Sequence, residues 1–195
     1  MKKVGVTGGI GSGKSLVCRI FRCLNVPVFS ADDEAKTLLE TDPEIRLALT
    51  GFFGKKLYHS GKLNKQMLGG IIFSDRKNLN IVNNAVHPAV LERFTKWCTC
   101  QTKSAYVIME AAIIFETGTD SFLDKVINIS APEAIRIERV CNRDSVSKEK
   151  VIERINNQLT EKERKEKADI NLMNDGKMML LPQVLKVHKL LSGNI

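Results

Sequence analysis

At 195 residues the chain is long enough to bury most of its apolar surface in one domain and too short for two large ones. Its 43% hydrophobic and 27% charged residues are those of an ordinary globule, and no apolar run nears the length of a membrane span. The net charge of +8 invites a polyanionic partner, yet the basic residues are spread out and concentrate only between residues 136 and 167, so acidic small substrates account for it as well. Aromatic residues are only 6% and form no stacking motif, which argues against nucleic acid as a partner. The five cysteines are odd in number and lack paired C-x-x-C spacing, so they read as reduced packing residues. With no signal-peptide pattern before the first apolar run, a cytoplasmic protein without membrane association is expected.

In chain order, Val4-Gly5-Val6-Thr7 reads as a short strand and Leu16 to Phe21 as the start of a helix. Between them Gly8-Gly9-Ile10-Gly11-Ser12-Gly13-Lys14-Ser15 fits G-x-x-x-x-G-K-[ST], the phosphate-binding loop, in the strand-to-helix setting that motif requires. Its glycines let successive N–H groups turn toward phosphate oxygens, and the helix N-terminus adds its positive dipole end. Lys14 would reach the β- and γ-phosphates, and the Ser15 hydroxyl would ligate Mg²⁺. The Leu16 side chain cannot add a ligand.

Leu24 to Phe29 reads as a loop and a second buried strand, which places Asp32 at a strand's C-terminal end, the edge where open α/β sheets bind ligands. Either Asp32 or Asp33 could instead cap a helix running from Glu34 to Glu40. From Asp42 to about Gln101 the pattern is helical and no strand is evident, with Asp42-Pro43 and Asn64 as helix starts. There His87-Pro88 interrupts an apolar helical pattern, and the proline is expected to push His87 out of helical conformation. His87 is then either a substrate contact or a structural histidine, and Trp97 reads as core.

Tyr106 to Met109 reads as a central parallel strand ended by Glu110, an acid where a magnesium-holding carboxylate belongs. The apolar run Ala111 to Phe115 and then Glu116 either lines a pocket or is buried. Val126 to Ile129 reads as a fourth strand. On the helix that follows, Arg136, Arg139 and Arg143 share one face, suited to a lid over triphosphate or to a solvated arginine surface. The charged segment from Ser147 to Lys167 reads as a lid arm or a surface hairpin. Asp169 to Asn174 is a fifth strand, whose last residue could touch the nucleotide, and an amphipathic helix closes the chain.

Taken together, the loop, Ala31-Asp32, His87-Pro88, Glu110 through Glu116, Arg139, Arg143, Gln158 and Ala168-Asp169 leading to Asn174 resemble the dephospho-coenzyme A kinase family along the whole chain. Two departures are Leu16, where the family usually has threonine, and Ala112-Ile113-Ile114-Phe115-Glu116, where it usually has Pro-Leu-Leu-Phe-Glu. The resemblance implies an α/β fold of the P-loop nucleoside-triphosphate hydrolase type, with a central five-stranded parallel sheet flanked by helices. The core would be residues 1–32, 104–135 and 168–195, with a helical acceptor-binding insertion at about 33–103 and a helical lid at about 136–167.

It further implies ATP-dependent phosphorylation of the ribose 3′-hydroxyl of dephospho-coenzyme A, the last step of coenzyme A synthesis, by a monomer or small homo-oligomer. Asp32, Lys14, Arg139 and Arg143 would be catalytic. Gly11, Ser12, Gly13, Lys14, Ser15, Leu16, Arg139 and Asn174 would hold ATP, while Ser15 and Glu110 would hold Mg²⁺. Asp32, His87, Phe115 and Glu116 would hold the acceptor. The alternatives are another small-molecule or nucleotide kinase of the same fold, and a nucleotide-dependent switch or nucleic-acid-binding ATPase. The switch lacks a guanine-specifying Asn-Lys-x-Asp stretch.

Overall fold

The computed structural model describes residues 1–193, with the side chains of residues 73, 74 and 76 left aside. The chain divides into two compact units, residues 1–30 with 100–195, and residues 31–99.

In the first unit β1 (Lys2–Thr7), β2 (Val28–Ser30), β5 (Tyr106–Glu110), β6 (Lys125–Ser130) and β7 (Ile170–Met173) form one sheet in the order β2-β5-β1-β6-β7. Every pairing is parallel, with Lys2 opposite Tyr106, Val4 opposite Lys125 and Ile127 opposite Ile170. Parallel strands covered on both faces need unbroken apolar runs, and β5 is buried along its entire length. Helix α1 (Lys14–Cys23) and helix α9 (Leu180–Ser192) pack side by side over one face. Val17, Cys18 and Phe21 from α1 meet Val184, Val187 and Leu191 from α9 over Val4, Val6, Ile108, Ile127 and Ile129. Beyond β6, α6 (Glu133–Asp144) and α7 (Lys148–Asn156) share a smaller apolar cluster of Ile137, Val140 and Val151, against which Ile10 of the glycine loop packs. Helix α8 (Glu161–Lys167) starts with a full capping box between Thr160 and Glu163. The five strands fall where the sequence places them, within a residue or two at the ends.

The second unit holds α2 (Ala31–Thr41), α3 (Pro43–Phe53), α4 (Lys65–Ser74) and α5 (Arg76–Thr99). Asp42 caps α3 by accepting from the N–H groups of Glu44 and Ile45, and Asn64 caps α4 by accepting from Met67, both as expected. Three expectations fail here. Helix α2 begins at Ala31, so Asp32 and Asp33 lie within its first turn instead of preceding it, where their charges suit the positive helix end.

Helix α5 continues through Pro88, so His87 is helical. Val82, Val86, Val90 and Phe94 recur every four residues and are all buried, and that stripe carries the helix past the bond the exposed proline removes. The segment also contains strands: Tyr58–His59 (β3) and Lys62–Leu63 (β4) form an antiparallel hairpin closed by Ser60 and Gly61, both at positive φ. Two-residue strands are too short to show alternation. Tyr58 anchors the hairpin, its hydroxyl donating to the Leu39 carbonyl at 2.8 Å beneath the Arg46 guanidinium. Trp97 is half-buried and stacks on Phe94.

Candidate active site

The glycine loop crosses from the end of β1 into α1. No side chain caps α1; its N-cap is Gly13 at φ 98°, and a β-carbon there would lie 2.2 Å from Asn174 Nδ2. That amide donates to the Ser12 carbonyl at 2.8 Å, while the Asn174 N–H donates to Ser130 at the end of β6. Asn174 therefore clamps the loop from the end of β7. An uncapped helix start held open in this way is suited to an anion.

The loop's own charges are in place. The Lys14 ammonium donates to the Gly8 carbonyl at 2.9 Å, spanning the loop. The Ser15 hydroxyl donates to Glu110 Oε1 at 2.7 Å. Glu110 is 8% exposed and level with Val6 and Ser30 at the C-terminal ends of β1 and β2. Burial, and then the adjacent Glu110 carboxylate, push the Cys18 thiol far above its usual range, so it stays protonated. Gly11, Ser12, Gly13, Lys14, Ser15 and Leu16 thus form one continuous turn and helix start.

Two further side chains brace this loop, and a third bond lies close by in sequence. Gln158, after α7, accepts from the Ile10 N–H at 2.9 Å. Arg139 Nη1 reaches the Gly11 carbonyl at 3.5 Å, a long contact. Glu116 Oε1 accepts from the Leu159 N–H at 3.0 Å, while its Oε2 is buried without a partner among the described residues. Phe115 is buried, with the Lys167 ammonium 5.9 Å from its ring centre. In the run before it Ala111 and Ile114 are buried, while Ala112 and Ile113 are half-buried.

The arginine face of α6 divides into three environments. Arg136 is 3% exposed, Arg139 is half-buried, and Arg143 is exposed with its fork on Asp144 at 2.7 and 3.0 Å. Arg143, and to a lesser degree Arg154, hold the Asp144 carboxyl below the usual carboxylate range. Arg143 is thus directed to Asp144, apart from the bonds that brace the loop. Helical spacing alone did not single out Arg136, nor did anything mark Arg164 of α8, which is buried at 1% exposure in the most charged stretch of the chain.

Asp32 and His87 belong to the second unit, on α2 and α5, which pack against each other. His87 is half-buried, and burial lowers its proton affinity. Among the described residues no helix is long and apolar enough to cross a membrane.

Comparison with known proteins agrees with this arrangement. Residues 2–179 match the dephospho-CoA kinase family. The dephospho-CoA kinase of Porphyromonas gingivalis is 40% identical, over 96% of this chain and 93% of that one. A solved structure from Thermus thermophilus superposes with a TM-score of 0.83 at 30% identity, covering 96% of this chain and 95% of that one. The solved dephospho-CoA kinase of Campylobacter jejuni gives a TM-score of 0.70 at 27% identity over 99% and 98%. Glycine loop, parallel sheet order and end-to-end relatives lead to one identification: the chain belongs to the dephospho-CoA kinase family, whose fold is that of the P-loop kinases.

Proposed function

We propose that this chain transfers the γ-phosphoryl group of ATP to the ribose 3′-hydroxyl of dephospho-coenzyme A, giving coenzyme A and ADP. The observation that carries the reading is the 2.7 Å bond from Ser15 to Glu110 beside a glycine loop that also presents Lys14, in a chain of this family. Phosphoryl transfer demands positioning and charge stabilisation more than covalent chemistry, and these residues supply both.

Lys14 exchanges the Gly8 carbonyl for the β- and γ-phosphates. The Ser15 hydroxyl and Glu110 carboxylate are hard oxygen donors of the kind Mg²⁺ takes, and Mg²⁺ asks for few protein ligands. When bound, Mg²⁺ neutralises charge on the phosphate oxygens. Asp32 orients the acceptor hydroxyl or takes its proton. Arg139 and, once released from Asp144, Arg143 add positive charge from a lid formed by residues 136–167. His87, Phe115 and Glu116 serve the acceptor, for which Glu116 Oε2, without a partner among the described residues, is an available hydrogen-bond acceptor. The reaction is placed in the cytoplasm.

ADP release with ATP and Mg²⁺ tests the reading when dephospho-coenzyme A is compared with shikimate, nucleoside monophosphates and water. Stimulation by dephospho-coenzyme A alone, with a 3′-phosphorylated product, is expected. Stimulation by another acceptor leaves the ATP site standing and removes the acceptor assignment.

A further inference from the structure

Two guanidiniums lie buried against the glycine loop, and neither has a part of its own in the reaction proposed above. A β-carbon on Gly9 would fall 2.3 Å from Arg136 Nη1 and 2.7 Å from Arg164 Nη2, so both forks press on the loop's second residue. Helix α6 approaches as closely with its backbone, since a β-carbon on Gly11 would fall 2.4 Å from the Arg136 carbonyl oxygen. The two arginines are 3% and 1% exposed.

Their charges are incompletely balanced. Arg164 donates to the Leu159 carbonyl and to Glu161 Oε2, and Glu161 in turn accepts from the Ser130 hydroxyl. Arg136 meets Glu133 at 3.7 Å, whose side chain is 63% exposed and therefore well screened, and its other nearby carboxylate, Glu161, is already bonded to Arg164 and Ser130. Among the described residues Nε and Nη1 of Arg136 and Nε of Arg164 are buried without a hydrogen-bond partner. Burial, and then Arg164, weaken the hold of Arg136 on its proton. A buried cation only partly balanced and lying beside another is costly for a fold to carry.

The group that would compensate it is an anion in the loop. We propose that Arg136, supported by Arg164, is a positioning residue for nucleotide polyphosphate: the empty protein carries its charge at a cost in stability, and a bound triphosphate neutralises that charge through the loop. It acts on binding and selectivity, apart from the reacting atoms. Because the effect is electrostatic, it grows with phosphate charge and favours ATP over ADP, and ADP over AMP.

The test uses the full chain in phosphate-free buffer at low salt, without acceptor, comparing wild type with Arg136→Met, Arg136→Gln and Arg136→Lys. Without ligand, Arg136→Met and Arg136→Gln are expected to melt at or above wild type. Their Kd for ATP rises at least tenfold, about 1.4 kcal/mol, with a smaller rise for ADP and little for AMP. Arg136→Lys keeps the charge and stays within a few-fold of wild type.

Lower melting of the neutral variants with ATP affinity retained makes Arg136 a packing strut and overturns the proposal. So does a variant that fails to fold, an equal loss for ATP and AMP, or an equal loss in Arg136→Lys. The inference rests on the loop holding triphosphate and is independent of the acceptor. A wild-type chain that does not bind ATP overturns the kinase reading, whereas wild-type binding with unaffected variants overturns this one alone.

Discussion

At the scale of single residues, the loop lysine carries the plainest expectation. Lys14→Ala removes the charge proposed to act on the transferring phosphoryl group, and kcat should fall by about 10²- to 10³-fold, the size seen when one transition-state donor is lost. Single-turnover kinetics check it, and a near-native rate removes Lys14 from the catalytic set. Asp32→Asn should lower kcat by about 10²-fold while ATP affinity holds, if the residue serves the acceptor as proposed. Isothermal titration with ATP separates that outcome from a metal or nucleotide role.

His87 has a pH signature with a fixed sign. Burial depresses its folded pKa below the ordinary value of 6.5, so the unfolded chain binds the proton more readily. Its contribution is intact above 6.5 and is lost as pH falls from 6.5 toward the depressed folded value, with a slope of at most about 1.4 kcal/mol per pH unit. His87→Gln should flatten the urea-unfolding profile across that interval. The sequence made Lys14 and Ser15 legible because their roles follow from motif spacing. It hid Arg136 and Arg164, since burial of a charge depends on what two distant segments bring to Gly9.

Among the elements, the legible parts were those set by local rules. Asp42 and Asn64 cap helices because a short polar side chain can reach the second or third N–H of the next turn, whatever the rest of the chain does. Asn64→Ala should cost about 1 kcal/mol, read as a shift in the denaturant midpoint. Pro88 misled because packing of Val82, Val86, Val90 and Phe94 outweighs a local rule. Gly13 sits between these cases, its motif visible and its clamp invisible. Gly13→Ala should abolish ATP binding, as the new methyl meets Asn174 at 2.2 Å and φ of 98° disfavours any side chain. Retained ATP affinity in that variant contradicts the clamp.

For the molecule as a whole, thiol chemistry reports on each unit. Cys23 and Cys100 are exposed and should label first with an aromatic disulfide reagent, whereas buried Cys18 in the first unit and Cys98 in the second should label only as their units open. Rapid labelling of Cys18 in the native protein contradicts its burial. The five-strand order was foreseeable as a class, yet which strands become neighbours was not, because that choice is made between segments far apart in the chain.

That order also bears on synthesis. The first strand to leave the ribosome is the middle strand of the sheet, and Lys2 has no partner until Tyr106 and its neighbours emerge. At about 5–20 residues per second the wait is roughly 5–20 s. For that time an apolar strand with both edges unpaired must stay soluble, while every residue of the second unit has already been made. In nascent chains stalled before Tyr106, residues 2–7 should therefore be open to protease and to chaperones, and they should become protected only once β5 and β6 are free of the ribosome.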